Sequence, residues 1–198
     1  MMQGTPYIYQ GEEIGMTNAY FDEIESYRDI ESIHAFKEAM ERKIMSEEEM
    51  LNALKVISRD NARTPMQWDS SRNAGFTTGD PWIAVNKNYL LINVEESLQD
   101  TDSIFYYYQK LIALRKQYDI IVDGRFHGIL EDNNDIYAYE RILENQRLVV
   151  ACNFTDQKVV CTLFDDEGQG EEVISNYKEH KKGILRPYEA RAVLVSNR

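Results

Sequence analysis

The chain has few of the residues that build metal sites or disulfide frameworks. Its 198 residues include two cysteines and three histidines. Cys152 and Cys161 lie in a region predicted to be two neighbouring strands, and His34, His127 and His180 show no ligand spacing. We therefore predict no metal site and no cofactor. The thiols are predicted to behave as small buried apolar residues, with a disulfide between them as the alternative.

Basic residues are also scarce. Lys and Arg total 22 against 34 Asp and Glu, which gives a formal net charge of −12. Such a chain is repelled by nucleic acid and by anionic membrane surfaces, whereas a neutral ligand such as a sugar is compatible with it. No apolar run reaches the roughly 18 residues of a membrane span. Met1–Pro6 lacks the basic and apolar regions of a signal peptide, so we expect a cytoplasmic protein.

The first hundred residues combine helices with an irregular stretch. Thr5–Gln10 is short, apolar and aromatic, which predicts a buried strand. The mixed charges of Glu25–Lys43 predict exposed helix, in one or two pieces. Ser46 and Glu49 match a capping box, so a helix should run from Glu47 to about Ser58. Three apolar side chains should share one face of that helix: Met50, Leu54 and Ile57.

Residues 59 to 100 have no regular pattern, and this length is rare in a compact domain unless the segment is functional. The segment begins with Arg59–Trp68, which holds two arginines, a carboxylate and two amides, and it continues to Trp82. Glycines and prolines interrupt it, and apolar periodicity is absent. This mixture predicts a loop that binds something polar and planar or ring-shaped.

The last part of the chain changes from helical to alternating periodicity. Ser103–Tyr118 is the clearest helix. Short β-branched and aromatic runs follow, separated by turn clusters such as Asn133–Asp135 and Asp165–Gly168. The predicted strands are Ile120–Val122, Ile136–Tyr139, Leu148–Cys152, Val159–Leu163, Val173–Ile174 and Ala192–Val195. We predict an antiparallel β-sandwich over residues 119–198, preceded by a separate domain over residues 1–118.

Six motifs carry a resemblance that extends over essentially the whole chain. Arg59–Trp68 (RDNARTPMQW) is similar to a motif of the oligo-1,6-glucosidase branch of the α-amylase family, glycoside hydrolase family 13. The other motifs that resemble this family, in order and at matching spacing, are Tyr7–Met16, Tyr27–Glu31, Asn73–Gly79, Asp102–Tyr108 and Leu185–Ala190.

The resemblance implies a fold. Family members have an eight-stranded (β/α) barrel followed by a C-terminal antiparallel β-sandwich. By this comparison Thr5–Gln10 would be the last barrel strand, residues 11 to about 100 the long loop after it, and Ser103–Tyr118 the last helix. The chain is then an α+β fragment, and the loop lies at the barrel end where active sites are found.

The resemblance also implies a chemistry that this chain does not complete. The family hydrolyses glycosides with retention, using an Asp nucleophile and a Glu acid/base about 5 Å apart. No segment of the chain resembles the motifs around those carboxylates. We expect the last third of such an enzyme, with no catalytic residue of its own and no hydrolytic activity alone. The parent would cleave short isomalto-oligosaccharides; a dextran glucosidase or a trehalose-6-phosphate hydrolase is the alternative.

Three binding residues follow from the resemblance. Arg59 would reach the hydroxyls of the glucose unit at the cleavage site, because its five fixed donors suit adjacent hydroxyls. Arg63 would line the neighbouring sugar position, and Glu31 would contact the second sugar unit. The alternatives are that Arg59 and Arg63 only form ion pairs that brace the loop, and that Glu31 is a solvated helix residue.

Other conspicuous side chains favour structural roles. Glu12 and Glu13 are adjacent, so they cannot easily flank one bond, and we predict that they anchor a loop. Trp68, Phe76 and Trp82 could stack on sugar rings, but such residues more often attach a long loop to the protein body.

Two kinds of partner and one rival function remain open. Besides an oligosaccharide, the N-terminal barrel portion of the same enzyme would be a partner, and the unpaired strand Thr5–Gln10 could become disordered, fold back or pair with a second copy. The rival is a non-catalytic module that binds carbohydrate or protein or stabilises the barrel.

Overall fold

The computed structural model describes residues 1–165 and 170–196. The chain divides into two compact units. Tyr7–Tyr106 is called the loop unit, and Met1–Pro6 together with Tyr107–Arg198 is called the sheet unit. Of the predicted turn Asp165–Gly168, the last three residues lie outside the described part of the chain.

The loop unit is built from helices and a series of short turns. Helix α1 spans Ile30–Arg42, α2 spans Glu47–Ile57 and α3 spans Val94–Gln99. Short 3-10 turns occupy Glu12–Ile14, Ile24–Ser26, Arg59–Ala62, Arg72–Gly75 and Lys87–Leu90. The core of this unit is apolar and consists of Ala19, Phe21, Tyr27, Ala39, Met50, Leu54 and Ile83. The stretch from residue 59 to residue 100 is mostly irregular, as predicted, although α3 lies inside it.

Local signals set the limits of α2. The Ser46 hydroxyl accepts the N–H of Glu49, and the Glu49 carboxylate accepts the N–H of Ser46 at 2.8 Å, so the predicted capping box is confirmed. Met50 and Leu54 are buried. Ile57, predicted to share their face, is the last helical residue and is 71% exposed, because the core ends one turn earlier.

The predicted strand Thr5–Gln10 is not formed. No strand pairs with it in the described residues, and Tyr7 is 91% exposed. The expectation of a buried strand was wrong for this chain, because a strand needs hydrogen-bonding neighbours on its edges. The hydroxyl of Tyr9 instead donates to the carbonyl of Ala62 at 2.9 Å.

The sheet unit contains antiparallel strands, as predicted. A five-stranded sheet has the order β1-β2-β3-β7-β5, and β4 pairs with β6 in a second, two-stranded sheet. The strands are β1 Arg125–Ile129, β2 Ile136–Leu143, β3 Gln146–Asn153, β4 Val159–Val160, β5 Glu171–Ser175, β6 Ile184–Leu185 and β7 Ala190–Ser196. Helix α4 spans Ile104–Gln117, close to the predicted limits, and α5 spans Asp119–Asp123. Strands β1 and β6 were missed from the sequence, because each carries a glycine or flanking charges and little apolar alternation.

The two faces of the larger sheet bury different side chains. One face packs against α5 through a cluster of Ile120, Ile121, Tyr139, Leu148, Val150, Ala192 and Leu194. The opposite face packs against the β4–β6 pair through Ile136, Ala138, Ala151, Cys161 and Leu185. Successive residues of a strand point to opposite faces, which explains why β2 and β3 are apolar at most positions and do not alternate strictly. Cys152 and Cys161 are free thiols.

The prediction of a strand at Ile120–Val122 is wrong, since these residues form α5. Arg141 from β2 is fully buried and donates to carbonyls at the end of that helix. Its Nη1 donates to Ile121 at 2.9 Å, and its Nε donates to Gly124 at 3.0 Å. Cations favour the carbonyl end of a helix, so a distant residue overrides the local β-propensity.

Candidate functional site

The segment that begins at Arg59 starts as a capped turn. The hydroxyl of Ser58, directly after α2, accepts the N–H of Asp60 at 3.3 Å. The turn Arg59–Ala62 follows, and the backbone then continues without regular structure. Ser58 and Asp60 are buried, so this turn is attached to the core of the loop unit.

Asp60 links this turn to the start of α1. Its side chain is completely buried, and Oδ2 accepts the N–H of Arg28 at 2.6 Å and the N–H of Asp29 at 2.8 Å. Two backbone donors on one carboxylate oxygen fix the position of residues 28 and 29 relative to the turn.

Asp29 caps α1. Its Oδ2 accepts the N–H of Ser32 at 3.0 Å and the hydroxyl of Ser32 at 2.9 Å. The Ser32 hydroxyl also lies 2.9 Å from the hydroxyl of Ser58, which closes a polar ring between α1 and the turn. Burial alone would raise the pKa of Asp29, but hydrogen bonds from Ser32 and the charges of Arg63 and Arg59 lower it below the ordinary value.

This scaffold places two of the predicted binding residues together. Nη2 of Arg59 lies 2.9 Å from Oε2 of Glu31, in the first turn of α1. Both side chains are exposed, at 61% and 70%. The pair therefore presents several donors and acceptors side by side at the surface of the loop unit.

The third predicted residue, Arg63, directly follows the same turn. Its Nη1 is 3.4 Å from Oδ1 of Asp29 and 3.6 Å from Oδ1 of Asp60. The guanidinium is partly exposed, while both carboxylates are buried. Arg63 thus supplies the positive charge that the two buried carboxylates need.

The aromatic residues of the long loop are about half exposed. Trp68, Phe76 and Trp82 keep 50%, 49% and 64% of their surface accessible. The Trp82 carbonyl accepts from Nε of Arg28 at 3.2 Å, which attaches the backbone but leaves the ring free. Burial therefore supports neither complete attachment nor complete exposure of these rings.

The loop that carries Phe76 has an unusual backbone. Asn73, Ala74 and Gly75 have φ of 57°, 56° and 66°, three left-handed residues in succession. The Ala74 carbonyl accepts the N–H of Trp68 at 2.9 Å, and its side chain is fully buried. Left-handed backbone is unfavourable for Asn and Ala relative to Gly, so tertiary contacts impose this shape.

Sequence reasoning missed the amide side chains that hold the loop. Asn61 accepts the N–H of Ala19 at 3.1 Å and donates to the carbonyl of Lys55 at 3.1 Å. Asn86 donates to the carbonyl of Thr17 at 3.0 Å. Both lie in an irregular segment, where amide side chains commonly bond to backbone, and this signal could have revealed them.

A cavity of about 320 Å³ adjoins the turn after Arg59. Its lining includes Gly11, Thr17, Asn18, Ser58, Asn61 and Thr64. Glu12, at its edge, accepts the N–H of Tyr9 at 3.4 Å, and Glu13 accepts the N–H of Gly11 at 2.7 Å. The two glutamates lie on a 3-10 turn and hold the local backbone, as predicted.

Residues 1–165 and 170–196 contain no cluster of three or more side chains suited to a metal ion. In the same residues, no helix has the length and apolar character needed to cross a membrane.

Two known domains match the chain in sequence. The alpha amylase catalytic domain matches residues 1–124, and the C-terminal domain of maltogenic amylase matches residues 126–183. The oligo-1,6-glucosidase of Parageobacillus thermoglucosidasius is 54% identical over 98% of this chain and 36% of its own length. The trehalose-6-phosphate hydrolase of Bacillus subtilis is 49% identical over 96% of this chain and 35% of its own.

Solved structures of related enzymes superpose on nearly the whole chain. The trehalose-6-phosphate hydrolase of Bacillus licheniformis superposes with a TM-score of 0.92 at 45% identity, covering 98% of this chain and 36% of that one. The isomaltulose synthase of Klebsiella sp. LX3 superposes with a TM-score of 0.87 at 35% identity, covering 96% and 35%. The chain therefore spans about a third of the length of these relatives.

Proposed function

Because the chain belongs to the α-amylase family, we propose that it is part of a retaining α-glucosidase that hydrolyses α-1,6-glucosidic bonds in short isomalto-oligosaccharides. The resemblance drawn from the sequence is confirmed at the level of the family and its oligo-1,6-glucosidase relatives. The substrate, the linkage and the cytoplasmic location belong to the proposal.

The observation that carries the proposal is the exposed pair Arg59–Glu31. Nη2 of Arg59 lies 2.9 Å from Oε2 of Glu31, and 61% of the Arg59 side chain is exposed to solvent. Adjacent sugar hydroxyls both donate and accept, so a cation and a carboxylate side by side suit them. In the proposal Arg59 binds the glucose unit at the cleavage site and Glu31 binds the next unit.

Arg63 has a mixed role in the proposal. It lines the neighbouring sugar position while its pairs with Asp29 and Asp60 hold it in place. A side chain braced in this way loses little freedom when a ligand binds, which favours affinity.

No residue of this chain is proposed as nucleophile or acid/base. Residues 1–118 would contribute the last part of a barrel and its binding loop, and residues 119–198 a C-terminal antiparallel domain. In this arrangement the chain binds and orients the sugar, and the carboxylates that cleave the bond belong to the remaining two-thirds of the enzyme. Those two-thirds are the expected protein partner.

Isothermal titration with isomaltose tests the binding role. We expect measurable heat for the chain and about a tenfold or larger loss of affinity in Arg59→Ala. Arg42→Ala is the matched control, since Arg42 also forms an exposed ion pair, with Glu38 at 2.7 Å. Equal affinity in Arg59→Ala and Arg42→Ala would contradict the proposed role.

A second assay tests the division of labour. The chain alone should release no p-nitrophenol from p-nitrophenyl α-glucoside. Release that scales with the concentration of the pure chain would mean that catalytic groups are present in it.

A trehalose-6-phosphate hydrolase is the second candidate, because such enzymes match the chain at 49% identity and with a TM-score of 0.92. A phosphate requires cations that are not already neutralised. Arg72 lies 3.6 Å from Asp80, and Lys87 lies 3.5 Å from Asp22, which disfavours this candidate. Titration with trehalose 6-phosphate distinguishes the two: tighter binding than isomaltose would favour the hydrolase.

A further inference from the structure

Asp60 links the two backbone segments that carry the proposed sugar-binding residues Arg59 and Glu31. It follows Arg59 directly in the chain, and its Oδ2 accepts the N–H groups of Arg28 and Asp29, just before the helix that carries Glu31. From this geometry we infer that Asp60 is a positioning residue, which sets the distance between Arg59 and Glu31. The inference rests on the proposed function for its biological meaning.

The strength of the link comes from burial and charge. Asp60 is completely buried, so its two hydrogen bonds to backbone N–H groups face no competition from water. Its second oxygen, Oδ1, has no hydrogen-bond partner among the described residues and is compensated only by Nη1 of Arg63 at 3.6 Å. A carboxylate held in this way has one favourable placement.

The link is also reinforced around Asp60. The Ser58 hydroxyl accepts the N–H of Asp60 and lies 2.9 Å from the hydroxyl of Ser32 in α1. Two routes therefore connect the turn to the helix: a carboxylate to backbone amides, and a hydroxyl to a hydroxyl. The exposed ion pair between Arg59 and Glu31 takes part in neither connection, and an exposed ion pair contributes little stabilisation by itself.

The consequence is that proximity of positions 31 and 59 depends on Asp60 and not on the ion pair. Replacing both exposed residues by cysteine, E31C with R59C, removes the ion pair and leaves the scaffold intact. A short bis-maleimide then reports the distance between the two positions, and peptide mapping separates this cross-link from any that involves Cys152 or Cys161.

The test compares the cross-link yield with and without Asp60→Asn. If the amide oxygen of Asn kept both backbone hydrogen bonds, its NH2 group would replace Oδ1 and face Nη1 of Arg63, two donors against each other. The side chain therefore loses the placement that Asp60 has, and we expect the yield to fall. Asp69→Asn is the matched control: Asp69 accepts the N–H of Ser71 at 2.8 Å in the same loop, whereas the N–H groups of Arg28 and Asp29 donate to Asp60. An unchanged yield in folded Asp60→Asn overturns the inference. If that variant fails to fold, Asp60→Glu takes its place: it keeps the charge but moves the carboxylate by one methylene, and an unchanged yield overturns the inference there as well.

Sugar binding provides a readout that a general loss of stability would not reproduce. Asp60→Asn should lower the affinity for isomaltose, and its loss should be less than additive with that of Arg59→Ala, because part of it acts through Arg59. An additive loss would show that Asp60 acts elsewhere. If the unchanged chain binds no isomaltose, the proposed function fails for the isolated chain, whereas the cross-link still decides the role of Asp60.

Discussion

Nη2 of Arg59 and Oε2 of Glu31 lie 2.9 Å apart, and both side chains face solvent. In the proposal each serves a different sugar unit. Arg59→Ala should therefore lower the affinity for both glucose and isomaltose. Glu31→Gln should lower the affinity for isomaltose and leave the affinity for glucose unchanged. Titration of the two variants with both sugars checks this. If Glu31→Gln lowered the affinities for glucose and isomaltose equally, both residues would belong to one sugar position.

Gly75 should tolerate no side chain. Its φ is +66°, and a Cβ there would lie 2.5 Å from Oδ2 of Asp69. Gly75→Ala should lower the free energy of unfolding by roughly 1–3 kcal/mol, from backbone strain and the forced displacement of Asp69. Urea denaturation measures this. Gly79→Ala is the control, since its nearest atom would be Oγ1 of Thr77 at 3.8 Å, and it should be close to neutral.

Arg141 should be essential for the sheet unit. It is fully buried and donates to the carbonyls of Met1, Ile121, Val122 and Gly124. Arg141→Met leaves these acceptors without their donor, and each unsatisfied buried group costs about 1–3 kcal/mol, so we expect a loss of roughly 3 kcal/mol or more. Arg125→Met, at an exposed position of β1, is the control. Similar melting temperatures for the two variants would contradict the assigned role.

Glu189 should make the sheet unit sensitive to acid. Burial alone would raise its pKa, but hydrogen bonds from Arg186 and His180 and the charge of Arg186 hold the pKa below the ordinary 4.5. Since the pKa is lower in the folded state, the stabilisation is complete above pH 4.5 and is lost as the pH falls through the folded value.

Glu189→Gln should remove this dependence. The variant should be less stable than the parent at pH 7, and the difference should shrink as the pH is lowered to about 3. Urea midpoints across this range provide the measurement, with exposed Glu131→Gln as the reference. A difference that grew in acid would contradict the assignment.

Self-association through the N-terminal segment stays a prediction. Tyr7 is 91% exposed, and Ile8 and Tyr9 are 45% and 51% exposed. Sedimentation velocity should show a mass that rises with concentration, and Ile8→Lys should reduce it. Leu91→Lys, at an apolar position that is 82% exposed, tests whether any exposed apolar residue has the same effect. A monomer at all concentrations would exclude the pairing.

Sequence reasoning succeeded where the determinants are local. The capping box of Ser46 and Glu49 lies within four residues, so α2 could be predicted almost to its ends. It failed at Ile120–Val122, where Arg141 from a strand bonds to the end of a helix, and at Thr5–Gln10, which pairs with no strand in the part of the chain that the structure describes. Propensity cannot detect either effect, because both depend on residues distant in the chain.

The candidate site was predicted in part. The resemblance named Arg59, Arg63 and Glu31, and the structure brings Arg59 and Glu31 within 2.9 Å. The resemblance did not reveal the buried connection from Asp60 to the backbone of Arg28 and Asp29. A carboxylate that accepts from backbone amides has no characteristic partner in the sequence, so this connection is visible only in the folded structure.

The burial pattern of Arg59–Trp68 has a consequence for enzyme engineering. Four of its polar residues, Asp60, Asn61, Thr64 and Gln67, are buried or partly buried, whereas Arg59 is mostly exposed. Most of the motif therefore encodes the shape of a loop, and a smaller part encodes ligand preference. A library that varies positions 31 and 59 while retaining the buried residues should explore new specificities without loss of folding.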